Sequence, residues 1–451
     1  MPILLAGLLG ARPSAANFVF ETADGAASFR GQYTSIALDA QGNPHISYYD
    51  ENNGNLRYAS RSVSWSSEAA DASTDDVGLF TSLAIDAQGD PHISYYDNTN
   101  GNLMYTHKSG GVWTRETVDG ASADVGGYTS IELDGSGEPC ISYLDYTNQH
   151  LMFARKSGGT WTIEVADDSA DFTGWYSSLE LDSQGNPHIG YYDQTTAQLL
   201  YASRSGGTWS HEVADNSTDS RGEYCSLALD AQGNPHISYY DATNGNLMYT
   251  SKSGGIWTAE TADASTNDVG FDSSLALDGL GNPHISYQDY TVGDLTYAVK
   301  VGGTWTVTTL DNSFNSTGWY TSLALDVKGR PHISYQDATV THLQYAYGPK
   351  EIVAVGEAAS AALHELRVFP NPVRAGAQIR LGIARPGEAR AVEIYDLGGR
   401  LERRLPLDAG GIAVWDGRDA SGRRADAGVH FVAPVWSDGR AASVLRFVIV
   451  R

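Results

Sequence analysis

Asp39-Ala40-Gln41-Gly42-Asn43-Pro44-His45-Ile46-Ser47-Tyr48-Tyr49-Asp50 decides the fold, because nearly the same words return six more times along the chain, ending at Asp97, Asp145, Asp193, Asp241, Asp289 and Asp337. The residue after the proline is His45, His92, Cys140, His188, His236, His284 and His332, spaced by 47 residues once and by 48 thereafter. A fixed period of this length marks a repeat architecture. Outward from the quoted stretch, each copy holds short runs of alternating polarity, as in Pro235–Asp241, Asn246–Lys252 and Trp257–Asp263 of the fifth copy. The runs have the length of ordinary strands. Between them lie Gln-Gly-Asn, Thr-Asn-Gly and Ser-Gly-Gly, which accept the positive φ of tight hairpins. Each copy therefore reads as four antiparallel strands, lettered a to d.

Alternation puts Ile46 and Tyr48 on one face of strand b and His45, Ser47 and Tyr49 on the other, so both faces carry bulk that needs a neighbour. Stacking the copies in a ring satisfies both faces, and seven lies within the four to eight blades that close such rings. The expectation is an all-β, seven-bladed β-propeller. Its ends supply a test. The seventh copy stops after strand c, while Phe18-Val19-Phe20-Glu21-Thr22-Ala23-Asp24 aligns with Trp257-Thr258-Ala259-Glu260-Thr261-Ala262-Asp263. Residues 18–24 should thus be strand d of the seventh blade, with Phe18 in the tryptophan's place, leaving no open edge.

The 451 residues include 49 glycines and 26 tyrosines, with 18% charged residues and a net charge of −25, which suits a strand-rich folded chain and disfavours helix-rich classes. Such a charge repels phosphate backbones and anionic lipid, so neither a nucleic-acid nor a membrane-surface partner is expected. Cys140 and Cys225 lie in different blades and are expected to be free thiols.

The repeats, over residues 17–348, resemble sialidase-like and other short-repeat bacterial propellers. The likeness is architectural. The turn at Ser203–Trp209 lacks the aspartate of the sialidase turn, and the basic residues gather in the Ser-Arg-Ser or Ser-Lys-Ser segments before strand d. The resemblance therefore implies the fold and no sialidase activity.

After Lys350 the pattern ends, and residues 349–364 read as a linker. From Glu365 onward the chain has 14 arginines, no lysine and 10 acidic residues, so this tail carries +4 and the rest −29. Phe369-Pro370-Asn371-Pro372, Ile394-Tyr395-Asp396-Leu397-Gly398-Gly399-Arg400, Trp415-Asp416-Gly417-Arg418-Asp419 with Gly422, and Ala427-Gly428-Val429-His430-Phe431 follow in order. They resemble the Ig-like domain of flagellar hook-capping proteins and of type IX secretion C-terminal sorting domains. That resemblance implies a β-sandwich over residues 365–451 that addresses or anchors an exported bacterial protein through the secretion machinery. Residues 1–16 hold an apolar stretch before Pro13-Ser14-Ala15-Ala16 and read as a truncated signal peptide, too short to span a membrane.

Most residues able to do chemistry have a scaffold role that explains them. Zinc needs nitrogens about 2.1 Å away, whereas packed sheets lie about 10 Å apart, so the motif histidines cannot share a metal and should hydrogen-bond backbone or carboxylates between blades. Aspartates ending strands a and b should fix turns. The oxygen-rich Asp50–Asn55 loop lacks EF-hand spacing, so no cofactor is expected, calcium being the one alternative. Trp65, Trp113, Trp161, Trp209, Trp257 and Trp305 should be core. No nucleophile or phosphate-loop motif occurs, and no catalytic residue is assigned.

The copies disagree just before strand a's Thr-Ser-Leu, at Gln32, Leu79, Gly127, Trp175, Glu223, Phe271 and Trp319. Rings beside carboxylates suit sugars, so Trp175, Trp319, Phe271 and Glu223 are the candidate ligand-binding residues. The expected function is a secreted or surface-attached monomeric binding module for a glycan or a surface protein. A glycoside hydrolase or lyase, and a structural surface repeat without a small ligand, are the alternatives.

Overall fold

The computed structural model describes residues 18–26, 29–120, 124–169, 172–217, 219–313, 316–348, 366–369, 373–374, 379–383, 389–395, 401–408, 412–425, 428–436 and 445–450. The readings of residues 1–16 as a signal peptide, of 349–364 as a linker and of Pro370-Asn371-Pro372, Asp396-Leu397-Gly398-Gly399-Arg400 and Ala427 as motif residues lie outside these. Two compact units divide the chain, Met1–Ile352 and Val353–Arg451. No helix is present among the described residues.

The first unit is a ring of seven four-stranded antiparallel sheets. Blade 1 shows the pattern with strands Arg30–Leu38, Pro44–Asp50, Asn55–Arg61 and Trp65–Asp71. The ring closes as expected. Val19–Asp24 is the outer strand of the seventh sheet, pairing Val19 with Tyr347, Phe20 with Ala346 and Glu21 with Tyr345. Across the seam, Thr34 and Ser334 share a 2.7 Å hydroxyl contact, and the Ile36 amide donates to Ser322 Oγ at 3.1 Å. The same two bonds join blades 1 and 2 through Thr81–Ser47 and Leu83–Ser35, so the seam resembles an internal joint.

Each joint buries a hydrophobic cluster, for instance Leu56, Tyr58, Val77, Leu83, Ile93 and Tyr95. Tyr95 is fully buried and its hydroxyl donates to Asp71 of the preceding blade at 2.7 Å, which spares the cost of an unpaired phenol. Equivalent tyrosine-aspartate bonds recur around the ring, including Tyr48 to Asp24 across the seam.

The motif histidines are held within their own blade rather than between blades, contrary to expectation. His92 Nδ1 lies 2.6 Å from the Tyr105 hydroxyl of strand c, and its Nε2 faces Asp86 of the a–b turn. Strand c passes beside strand b at hydrogen-bonding distance, so the nearest partner is local. Burial lowers the His92 pKa, and that of His332 to about 4. Cys140 replaces the histidine in the one blade where Phe153 replaces the tyrosine, so that both polar partners disappear together. Cys225 follows the same logic, standing opposite Gly190 where other joints pair two hydroxyls. Both thiols are free, as expected, and both are buried. The strand-a aspartates fix their turns as expected: Asp39 accepts the Gln41 and Asn43 amides at 2.9 and 2.8 Å.

The strand-d tryptophans are half-buried rather than deep core. Each packs edge-on against the preceding blade, as Trp257 does on Tyr201 at 5.3 Å, and Phe18 takes the same seat on Tyr297 at 5.9 Å. Trp257 Nε1 and Lys252 Nζ both donate to Glu212 of the preceding blade. This accounts for the basic residues before strand d: they clasp neighbouring sheets.

The second unit contains a three-stranded sheet, Leu366–Phe369, Ile379–Ile383 and Ile412–Trp415, and a five-stranded one, Val373–Arg374, Leu445–Val450, Gly428–Trp436, Ala389–Tyr395 and Leu401–Pro406. Val392, Ile394 and Trp415 are fully buried, and His430 Nδ1 meets Glu402 at 2.8 Å in its interior.

Candidate functional site at one mouth of the channel

Strand a is the innermost strand of each blade, and its start does not alternate regularly. In blade 1 the pairing with strand b slips between Arg30 and Gln32 and again between Gln32 and Ser35. Gly31 makes the slip feasible: its φ is +94°, and a Cβ there would meet Leu343 Cα of the adjoining blade at 3.0 Å. The bulge then forces Tyr33 to φ +52°, a left-handed conformation uncommon for a non-glycine residue. The same conformation recurs at Phe80, Tyr128, Tyr176, Tyr224, Asp272 and Tyr320, all with φ between 50 and 53°. Seven strained residues at equivalent positions mark a place the scaffold over-determines.

These seven side chains surround a cavity of about 190 Å³, with a layer of Thr34, Thr81, Thr129, Ser177, Cys225, Ser273 and Thr321. Consecutive ring centroids from Tyr320 through Tyr33, Phe80, Tyr128 and Tyr176 to Tyr224 lie 4.4–4.8 Å apart. Asp272 alone interrupts the circle. Its Oδ2 accepts the Tyr320 amide at 2.7 Å, and burial pushes its carboxyl up to about 6 against that bond.

The sequence-predicted residues stand immediately outside this circle. They belong to the bulged start of strand a rather than to the preceding loop, since the bulge extends the strand. Phe271 stacks on Tyr290 at 4.9 Å and contacts Tyr240 at 4.4 Å, while Trp319 meets Tyr290 edge-on at 5.9 Å. These rings form one cluster. Trp175 belongs to another, with Phe172, Tyr146 and Tyr128 at 5.3, 5.9 and 5.2 Å. Tyr146 has its place because Gly127 has no side chain: a Cβ there would overlap the phenol at 2.4 Å. The Trp319 indole donates to Ser316 at 2.8 Å, whereas that of Trp175 is buried without a partner among the described residues. Glu223 lies between the clusters, and burial raises its pKa.

Sequence reasoning did not single out the axial circle, Asp272 above all. The signal is nonetheless present in the repeats, since six copies carry an aromatic residue where the sixth copy has Asp272.

A second departure from the repeat lies on strand a opposite Cys140 and His188, where blades 3 and 4 carry Glu132 and Glu180 and the other five carry alanine. Equivalent alanines pack on the apolar cluster of the next blade. Burial raises Glu132 to about 7 and lifts Glu180 well above the ordinary carboxylate range, with the Glu132 charge adding to it. Glu132 also lines a cleft of about 520 Å³ with Asp134, Arg155 and Gln184. Among the described residues no group of three metal-ligating side chains occurs, and no helix is long and apolar enough to cross a membrane.

Fold and site together define a seven-bladed β-propeller with an aromatic mouth interrupted by one acid. No protein-family model and no curated protein matches the sequence. Among solved structures the chain is similar to PorZ, a surface component of the type IX secretion system of Porphyromonas gingivalis, at a TM-score of 0.46 and 15% identity, covering 100% of this chain and 61% of that one. It is also similar to the Aleuria aurantia lectin, at 0.43 and 16%, covering 64% of this chain and 96% of that one. The polysaccharide lyase Uly1 gives 0.47 and 12%, with 69% and 88% covered. The chain thus spans about three-fifths of PorZ, and likenesses this distant assign no activity.

Proposed function

We propose that the protein is an exported or cell-surface binding module that takes a glycan at the aromatic mouth, with the Val353–Arg451 unit serving secretion or anchoring. The observation that carries the reading is the pair of ring clusters, Tyr146–Trp175 and Phe271–Tyr290–Trp319, flanking Glu223 and the axial cavity. Aromatic faces stack on the C–H faces of a pyranose while the acids accept its hydroxyls. Residues 365–451 join the proposal through the motifs that resemble sorting domains.

The test is a glycan array probed with the full chain, with and without a chelator. Binding should appear and fall at least tenfold in Trp175→Ala or Trp319→Ala; undiminished binding in both would remove the assignment of the mouth.

A further inference from the structure

An aromatic circle of seven identical members would present a neutral mouth. Blade 6 instead contributes Asp272, and the lining of the cavity contains no lysine, arginine or histidine. Oδ2 is taken by the Tyr320 amide, and no cationic side chain contributes to the state of this carboxyl. A half-buried carboxylate without a counter-charge is costly, and its cost is relieved by whatever cation enters beside it.

The rest of the lining offers acceptors as well. Centroid spacings of 4.4–4.8 Å put the six rings on a circle of roughly 5 Å radius, too close together for each to turn its face to the axis. Five of the six are tyrosines, whose hydroxyl oxygens can accept N–H bonds. Glu223, one position outside the circle, adds a second negative charge above its raised pKa. The cavity of about 190 Å³ falls below the ~300–1,000 Å³ of drug-sized sites, so it suits a single sugar residue rather than a folded partner.

From this juxtaposition, and resting on the reading of the mouth as a glycan site, we infer that the glycan is a cationic amino sugar, whose free ammonium group sits in the axial cavity against Asp272 while neighbouring sugars lie on the Trp175 and Trp319 clusters. The carboxylate gives the charge selectivity and the rings give the platform.

The experiment is calorimetric titration of the full chain with three oligosaccharides of equal length: a glucosamine oligomer, its N-acetylated counterpart and a neutral glucose oligomer. The glucosamine oligomer should bind at least tenfold more tightly than either of the others. Asp272→Asn, nearly isosteric, should abolish that preference while leaving the thermal midpoint at or above the wild-type value. Asp272→Tyr, which restores the residue type of the neighbouring blades, should do the same. Equal binding of the three oligomers, or a preference that survives both substitutions, overturns the inference and leaves the glycan reading standing. If none of the three binds while the array identifies another sugar, the amino-sugar assignment alone falls. If neither finds a ligand, both fall.

Discussion

Blades 3 and 4 carry Glu132 and Glu180 where five blades carry alanine, so the double substitution E132A/E180A introduces nothing the ring does not already accommodate. Burial holds the Glu132 carboxyl at about 7 against an ordinary 4.5. In the unfolded chain the proton leaves near the lower value, and in the folded chain near the higher one. Between them the unfolded state gains by ionising first, so stability falls as pH rises through this window, and the full penalty is present above it. At 1.36 kcal/mol per pH unit the gap is worth about 3 kcal/mol for Glu132 alone; Glu180, shifted the same way, adds to it. Urea unfolding should therefore show E132A/E180A more stable than wild type by at least about 3 kcal/mol near pH 8, with the gain shrinking toward zero near pH 4. A gain of equal size at both pH values would show that packing rather than charge distinguishes the glutamates. A loss of stability near pH 8 would refute the reasoning outright.

Other outcomes follow from the joints. Cys140→His alone should cost about 1–3 kcal/mol by burying an imidazole with no strand-c tyrosine to meet it, and adding Phe153→Tyr should recover part of it; a double-mutant cycle checks this through a favourable coupling above about 0.5 kcal/mol. Phe18→Ala should cost about 3 kcal/mol in chemical denaturation, since this buried ring occupies the tryptophan seat on Tyr297; a cost below about 1 kcal/mol would mean that the closing strand's hold on the sixth blade carries little of the ring's stability. Cys140 and Cys225 are buried and burial raises both thiol pKa values, so a thiol reagent should label neither until denaturant is added.

The blades, their register and the closing strand are legible in the sequence because one period repeats seven times, and a strand missing at one end reappears at the other. What alternation cannot convey is the bulge. A slip in pairing between Gln32 and Ser35 turns the chain locally, so the residue facing the axis is Tyr33 and not its neighbour. Disagreement between the copies points to Trp175, Glu223, Phe271 and Trp319, which stand at the same mouth, but it does not by itself separate them from Asp272, one residue further on. The histidines differ from expectation for a related reason. Their partners lie across hairpins thirteen residues away, as for His92 and Tyr105, and the composition of strand b alone does not announce them. Glu132 and Glu180 are visible as departures from alanine, but their meaning depends on how tightly the next blade packs against them.

The seam has a temporal consequence. The residues that complete the last sheet emerge from the ribosome before every other strand of the ring, and Val19 must wait about 330 residues for Tyr347. Joining ends so distant in a free chain costs roughly 5 kcal/mol of loop entropy, but six finished blades already curve the ends together and remove most of that cost. Docking of this strand is thus the natural last step of closing the ring, and until it happens the nascent protein exposes an edge on which a second copy could dock instead.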